Sequence, residues 1–181
     1  MEELYLKIIE LLSENKQLFK DKDLVPPKYI DIYDGQPENS EFFFFTLPAI
    51  FFDYSIEWES ITSVRQGTAL ITIHVLTLPT ENTDNNSLNI QKGIKRLQYY
   101  KLIADILEGT ETSTTSHLKL VKEEPVTIHK TRKLNNPSTP FIIENSIYHK
   151  LTFKTKLFYS LLRETKQGTI KQINLRKYNI D

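Results

Sequence analysis

Four histidines, His74, His117, His129 and His149, are the side chains of this sequence best suited to moving a proton or binding a transition metal near neutral pH. No two of them stand at a metal-ligand spacing, so they read as surface or internally satisfied histidines. His74, expected on the outward side of a strand, is the best placed of the four. Asp53 and Glu57 fall on one side of another strand and could hold a divalent metal, the chemistry of a metal-dependent nuclease. A solvated outer strand face accounts for the same pair without a metal. Cysteine is absent, which excludes thiolate nucleophiles, disulfides and thiolate metal sites. The five glycines, at 35, 67, 93, 109 and 168, form neither the dinucleotide-binding nor the P-loop pattern. No serine is flanked by glycines as a nucleophile elbow requires, and a Ser–His–Asp set gathered from distant segments leaves no trace in a sequence. The expectation is therefore of a protein that is not an enzyme and that carries no catalytic, cofactor or metal residues.

The chain's totals narrow the possible partners. A chain of 181 residues is long enough for one domain with a two-layer core. Lys plus Arg and Asp plus Glu both number 23, so the long-range field that draws proteins onto phosphate backbones is missing. Sequence-specific nucleic-acid binding is not expected. No window approaches the roughly 18 uninterrupted apolar residues of a membrane span. Glu2 and Glu3 stand where a signal peptide would carry Lys or Arg, so export is not expected either.

The elements that must position any site follow from periodicity. Residues 2–15 read as a helix with Leu4, Ile8, Leu11 and Leu12 inward and an acidic first turn that suits the helix dipole. Residues 20–41 contain a double proline, Gly35 and Asn39, and read as a long loop in which Tyr29, Ile30 and Ile32 offer one short strand. From Ile50 the chain alternates, with Ile50, Phe52, Tyr54, Ile56 and Trp58 on a buried face and Phe51, Asp53, Ser55 and Glu57 on the other. "SVRQG" then turns into "TALITIHVLTL", a strand with Ala69, Ile71, Ile73 and Val75 inward and Thr68, Thr72 and His74 outward. Pro79 stops it, and Ser87 or Asn89 can cap a second helix over about 88–107, whose stripe is Ile94, Leu97, Tyr100, Ala104 and Leu107 and whose stop is Gly109. Two more strands follow: "HLKLVKEEPVTIHK", interrupted at Pro125, and "YHKLTFKTKLFYSLL", with Leu151, Phe153, Leu157, Tyr159 and Leu161 inward. A long loop at 131–147 separates them.

The expected fold is α+β: a mostly antiparallel sheet of four to five strands against two helices, as one domain over 1–162. The arm, 163–181, spaces Ile170, Ile173, Leu175 and Tyr178 among charges. Extended, it would reach about 60 Å, enough to lie on a neighbour.

The segment 41–58, "EFFFFTLPAIFFDYSIEW", holds six of the ten phenylalanines and the single tryptophan. The inward side of its strand accounts for part of this. Phe42, Phe43, Phe44, Phe45 and Phe51 go beyond it, because a strand with aromatics on both faces needs cover on both sides, and one cover can be a partner subunit. Base stacking would need a positive groove, whereas the nearest charges are Glu41, Asp53, Glu57 and Glu59. The candidate subunit-interface residues are these five phenylalanines with Trp58, Arg65 and the arm's Ile170, Ile173, Leu175 and Tyr178. Phe42 to Phe45 could instead serve a monomeric adaptor.

The N-terminal "LYLKIIELLSEN" helix, the "LPAIFFDYSIEW" strand beginning at a proline, the turn "SVRQG" leading into "TALITIHVLTL", and the helix "IQKGIKRLQYYKLIADILEG" together resemble the tail terminator, tail completion and neck proteins of long-tailed bacteriophages. The resemblance covers roughly residues 1–162 as an order of elements and contains no diagnostic motif. It implies a virion structural protein without catalytic residues or cofactors. Such a protein forms a homo-oligomer, a hexameric ring in the terminators, that caps the tail tube, meets a neck or connector protein, and is assembled in the bacterial cytoplasm. A neck or head–tail connector subunit of similar fold is the nearest alternative. The loops at 20–40 and 131–147 depart from the compact members of that family.

Overall fold

The computed structural model describes residues 1–38, 44–60, 64–78, 84, 86–87, 89–126 and 147–160. They form an α+β fold with three helices and one five-stranded mixed sheet. In chain order the elements are α1 (Glu2–Glu14), α2 (Lys16–Asp21), β1 (Tyr29–Ile32), β2 (Ala49–Ser60), β3 (Val64–Thr77), α3 (Ile90–Leu107), β4 (Lys119–Val126) and β5 (Ile147–Ser160). The spatial order is β1-β2-β3-β5-β4, with β1 parallel to β2 and the other pairs antiparallel.

Alternation decides which face of the sheet meets the helices. Ile50 and Phe52 of β2 stand opposite Val75 and Ile73 of β3, and Ile73 and Ile71 stand opposite Leu151 and Phe153 of β5. All seven lie in one buried cluster with Leu4, Ile8 and Leu12 of α1, Phe19 of α2 and the buried side of α3. The expected inward residues of α1, β3 and β5 thus take their places, apart from Leu11 and Tyr159, which are half-buried, and Leu161, which lies outside the described residues.

Four expectations change. The segment after α1 contains a second helix, α2, because Phe19 anchors a single turn and a half too short to show a period. The buried stripe of α3 is Tyr99, Tyr100, Ile103 and Leu107 with Leu102 and Ala104, whereas Ile94 and Leu97 are exposed. The buried residues of α3 all lie in its C-terminal half, and its first turns are tied down at the edge by the Lys95–Asp23 ion pair. The turn expected at "SVRQG", residues 63–67, is strand from Val64 onward: β2 and β3 pair out to Ser60 and Arg65. Finally, Tyr54 and Trp58 stay exposed on the helix-bearing face, since among the described residues no helix extends over that end of β2.

Among the described residues, the second face is covered at one end only. There Ala49, Phe51, Leu76 and Tyr148 form a smaller buried cluster under Tyr29, Tyr33, Phe45, Leu47 and Val126. Gly109 ends α3 with φ +79, the left-handed conformation expected of it. Asn89 is the N-cap residue, but its side chain makes no capping bond, and its own N–H donates to Ser87 Oγ at 3.1 Å.

Candidate functional site: two aromatic patches on one strand

At its start, β2 carries the first patch. Phe51 is fully buried, with Tyr29 and Phe45 against its ring, at 5.9 and 5.1 Å between centroids. The cover expected from a partner subunit is therefore supplied within the chain, and Phe51 leaves the set of residues able to touch a neighbour. Phe45 is half-buried on it, while Phe44 is 85% exposed. Phe42 and Phe43 lie outside the described residues, as do Ile170, Ile173, Leu175 and Tyr178.

The second patch lies at the far end of β2, on the opposite, helix-bearing face. Trp58, 41% exposed, stands directly across from Gly67. A Cβ at Gly67 would come within 2.8 Å of Trp58 Cε3 and 3.0 Å of the Glu57 carbonyl, so this glycine seats the indole against the backbone. The Arg65 guanidinium carbon lies 5.0 Å from the centre of the indole, and the Tyr159 ring packs beside it at 5.7 Å. The Met1 amino group donates to the Tyr159 hydroxyl at 2.7 Å, which ties this end of the sheet to the start of α1. Tyr54, also exposed, continues the row toward Phe52 and Tyr5. The structure thus brings Trp58 and Arg65 together and sets them seven strand steps, about 23 Å, from Phe51, on which Phe45 packs.

Sequence reading placed His74 on the outward side of its strand. It is 2% exposed, because the second face is covered at that level. Its ring is stacked on Tyr33 at 4.0 Å, and its Nδ1 shares a hydrogen bond with the Tyr148 hydroxyl. Its Nε2 is buried without a hydrogen-bond partner, and the Asp53 carboxylate stands 3.6 Å away. Burial, together with Lys150, pushes the imidazole down to about 4, against a smaller pull from Asp53 and Glu38. Burial and Glu38, which accepts the Tyr33 hydroxyl at 2.9 Å, raise Tyr33 to about 12, and burial raises Tyr148 further. Tyr148 and His74 are sealed from solvent, so this group fixes the second cluster and offers no surface to a substrate.

Asp53 and Glu57 do not converge. Asp53 accepts the Tyr54 N–H at 2.7 Å and faces His74. Glu57 sits four strand steps, about 13 Å, further along, which is too far for one ion held at 2.3–2.6 Å by both carboxylates. Among the described residues no group of three His, Asp or Glu side chains is arranged to hold a metal. His149 is nearly buried, stacked on Tyr100 at 4.0 Å and bonded to Glu123 at 2.9 Å. His117 is exposed beside Glu111, and His129 lies outside the described residues. No helix among the described residues is long and apolar enough to cross a membrane.

No protein-family model matches the chain. No curated protein matches it either. The residues missed by sequence reading, Gly67, Tyr54 and Tyr159, had one available signal: a glycine inside a strand pattern marks close approach by another group.

Proposed function

We propose that this chain is a self-assembling structural subunit of the tail terminator or tail completion kind, forming a closed ring that caps a tail tube and helps join it to the head. The observation that carries the reading is the pair of unlike aromatic patches at opposite ends and on opposite faces of β2. A head-to-tail ring requires two different surfaces on each copy that fit one another, whereas a two-fold dimer requires one self-complementary surface. Phe44 with Phe45 forms one such surface, and Trp58 with Tyr54, Tyr159 and Arg65 forms the other. Aromatics and Arg are the types enriched at interface cores. A stable contact would bury about 800 Å² on each copy.

On this reading the partners are further copies of the chain, together with the tail-tube protein and a neck or connector protein; the place of action is the virion tail or neck after assembly in the bacterial cytoplasm. The test is solution mass across a range of concentrations, with and without tail-tube protein, because a ring that closes only on its tube appears only in its presence. Ring mass in either condition supports the proposal. A monomer in both overturns it and favours the adaptor reading. Magnesium-dependent DNA cleavage abolished by Asp53→Ala would overturn it in favour of a nuclease.

A further inference from the structure

The two neighbours of β2 cover it unequally. β3 pairs with all twelve residues, from Ala49 to Ser60, whereas β1 pairs only with Ala49, Ile50, Phe51 and Phe52. The eight residues 53–60 therefore have a strand on one side and, among the described residues, none on the other. Lys28 N–H donates to the Pro48 carbonyl and Tyr33 N–H to the Phe52 carbonyl, so the even-numbered residues turn their backbone groups toward the β1 side. Strand alternation carries this forward to Tyr54, Ile56 and Trp58, whose N–H and C=O groups face the open edge. The Tyr54 N–H, the first beyond β1, is bonded instead to the neighbouring Asp53 carboxylate at 2.7 Å.

The other edge of the sheet is guarded in the usual way. β4 carries Lys119, Lys122 and Pro125 and a register shift between Leu120 and Lys122. Residues 53–60 carry no lysine or proline; their helix-side face is apolar, and Asp53, Glu57 and Glu59 line the other face. Such an edge accepts an added strand that is basic and apolar in composition. Two β2 edges would oppose their own carboxylates, which disfavours self-pairing of this edge.

We propose that the open edge of β2 takes, as an added strand, the C-terminal segment 161–181 of a second copy. This inference rests on the assembly reading above and names what the neighbour contributes. The segment has Lys or Arg at five positions and Asp or Glu at two, leaving three positive charges to meet the acidic edge. It also supplies Ile170, Ile173 and Leu175 for the apolar face. Ser160 pairs with Val64 and Ser60 with Arg65, so the segment leaves its own sheet at the end where the open edge finishes. Its 21 residues span up to about 70 Å, more than twice the roughly 27 Å that an eight-residue strand needs, which leaves length to cross to a neighbour.

The chain has no cysteine, so single cysteines report contacts without background. Full-length Glu57→Cys is mixed with full-length Ile173→Cys or Leu175→Cys under mild oxidation and run on a non-reducing gel. The expected result is a mixed disulfide dimer, formed about tenfold faster than with Lys101→Cys in place of Glu57→Cys, because a docked arm raises the local thiol concentration. A Glu57→Cys/Ile173→Cys or Glu57→Cys/Leu175→Cys chain that closes only on itself overturns the proposal and assigns the edge to its own arm. No excess over the Lys101→Cys control in any pairing overturns it as well. Solution mass of the same samples separates the two readings: ring mass without the mixed disulfide overturns this inference and leaves the ring standing, whereas monomer mass throughout overturns both.

Discussion

The buried imidazole of His74 makes stability fall as the solution is acidified, by an amount the structure allows to be worked out. In the unfolded chain this ring takes a proton near 6.5; in the folded protein, sealed against Tyr33 and Tyr148 and facing Lys150, it stays neutral down to about 4. A folded value below the unfolded one means that the unfolded state binds more protons, so the group's contribution is intact above 6.5, is lost as pH falls toward 4, and levels off below it. The full loss is roughly 3 kcal/mol, of which about 2 kcal/mol has gone by pH 5. That is a large share of the 5–15 kcal/mol typical of a domain. Urea unfolding followed by circular dichroism at pH 7.5 and 5.0 measures it. His74→Phe removes the titrating ring, and its loss between the two pH values should be about 2 kcal/mol smaller than that of the original protein, whatever the variant's own cost in leaving the Tyr148 hydroxyl unpaired. His149, whose value is also lowered, by burial first, adds to the slope in the same direction. Glu3, Asp23 and Glu124, lowered by hydrogen bonds to Ser113, Lys95 and Lys122, lose their contributions only as they protonate at lower pH. An unchanged slope in His74→Phe would refute the assignment.

Phe51→Ala opens a cavity in the second cluster and should cost about 3–5 kcal/mol in urea unfolding; Phe44→Ala, at an exposed position, should cost less than about 0.5 kcal/mol yet weaken association in solution mass measurements. Equal costs would contradict the placement of the two rings. Gly67→Ala should lift Trp58 from the backbone, costing about 1–3 kcal/mol and shifting the emission of the chain's single tryptophan to longer wavelength. Leu97→Gln should leave thermal stability unchanged, whereas Ile103→Ala should lower it by about 2–5 kcal/mol, since the buried residues of α3 all lie in its second half.

Much of the fold was legible because its longest elements bury one face each. β3 and β5 alternate cleanly, and α1 repeats Leu4, Ile8 and Leu12 at helical spacing, so local pattern and tertiary contact agree. α3 was harder. Its amphipathic pattern runs the whole length of the helix, but contact with the sheet does not, and period alone cannot tell where a helix leaves its support. The parallel pairing of β1 with β2 was equally hidden, since a four-residue strand has too few alternations to declare its neighbour or its direction.

The candidate site was half legible, and the reason lies in β2 itself. Aromatics on both sides of one strand did imply cover on both sides, but composition cannot say whether that cover comes from the same chain. For Phe51 it comes from Tyr29 and Phe45, brought back over the second face by the parallel β1 and the segment leading into β2. The same short β1 that helps cover Phe51 ends after four pairs, and its ending leaves Tyr54, Ile56 and Trp58 with open backbone groups. Shielding at one end of β2 and exposure at the other thus share one cause, the mismatch in length between two adjacent strands. Extending β1 alongside residues 53–60 would close the edge without touching the aromatic side chains. An assembly that depends on the edge would then fail, while one that depends on the rings alone would persist.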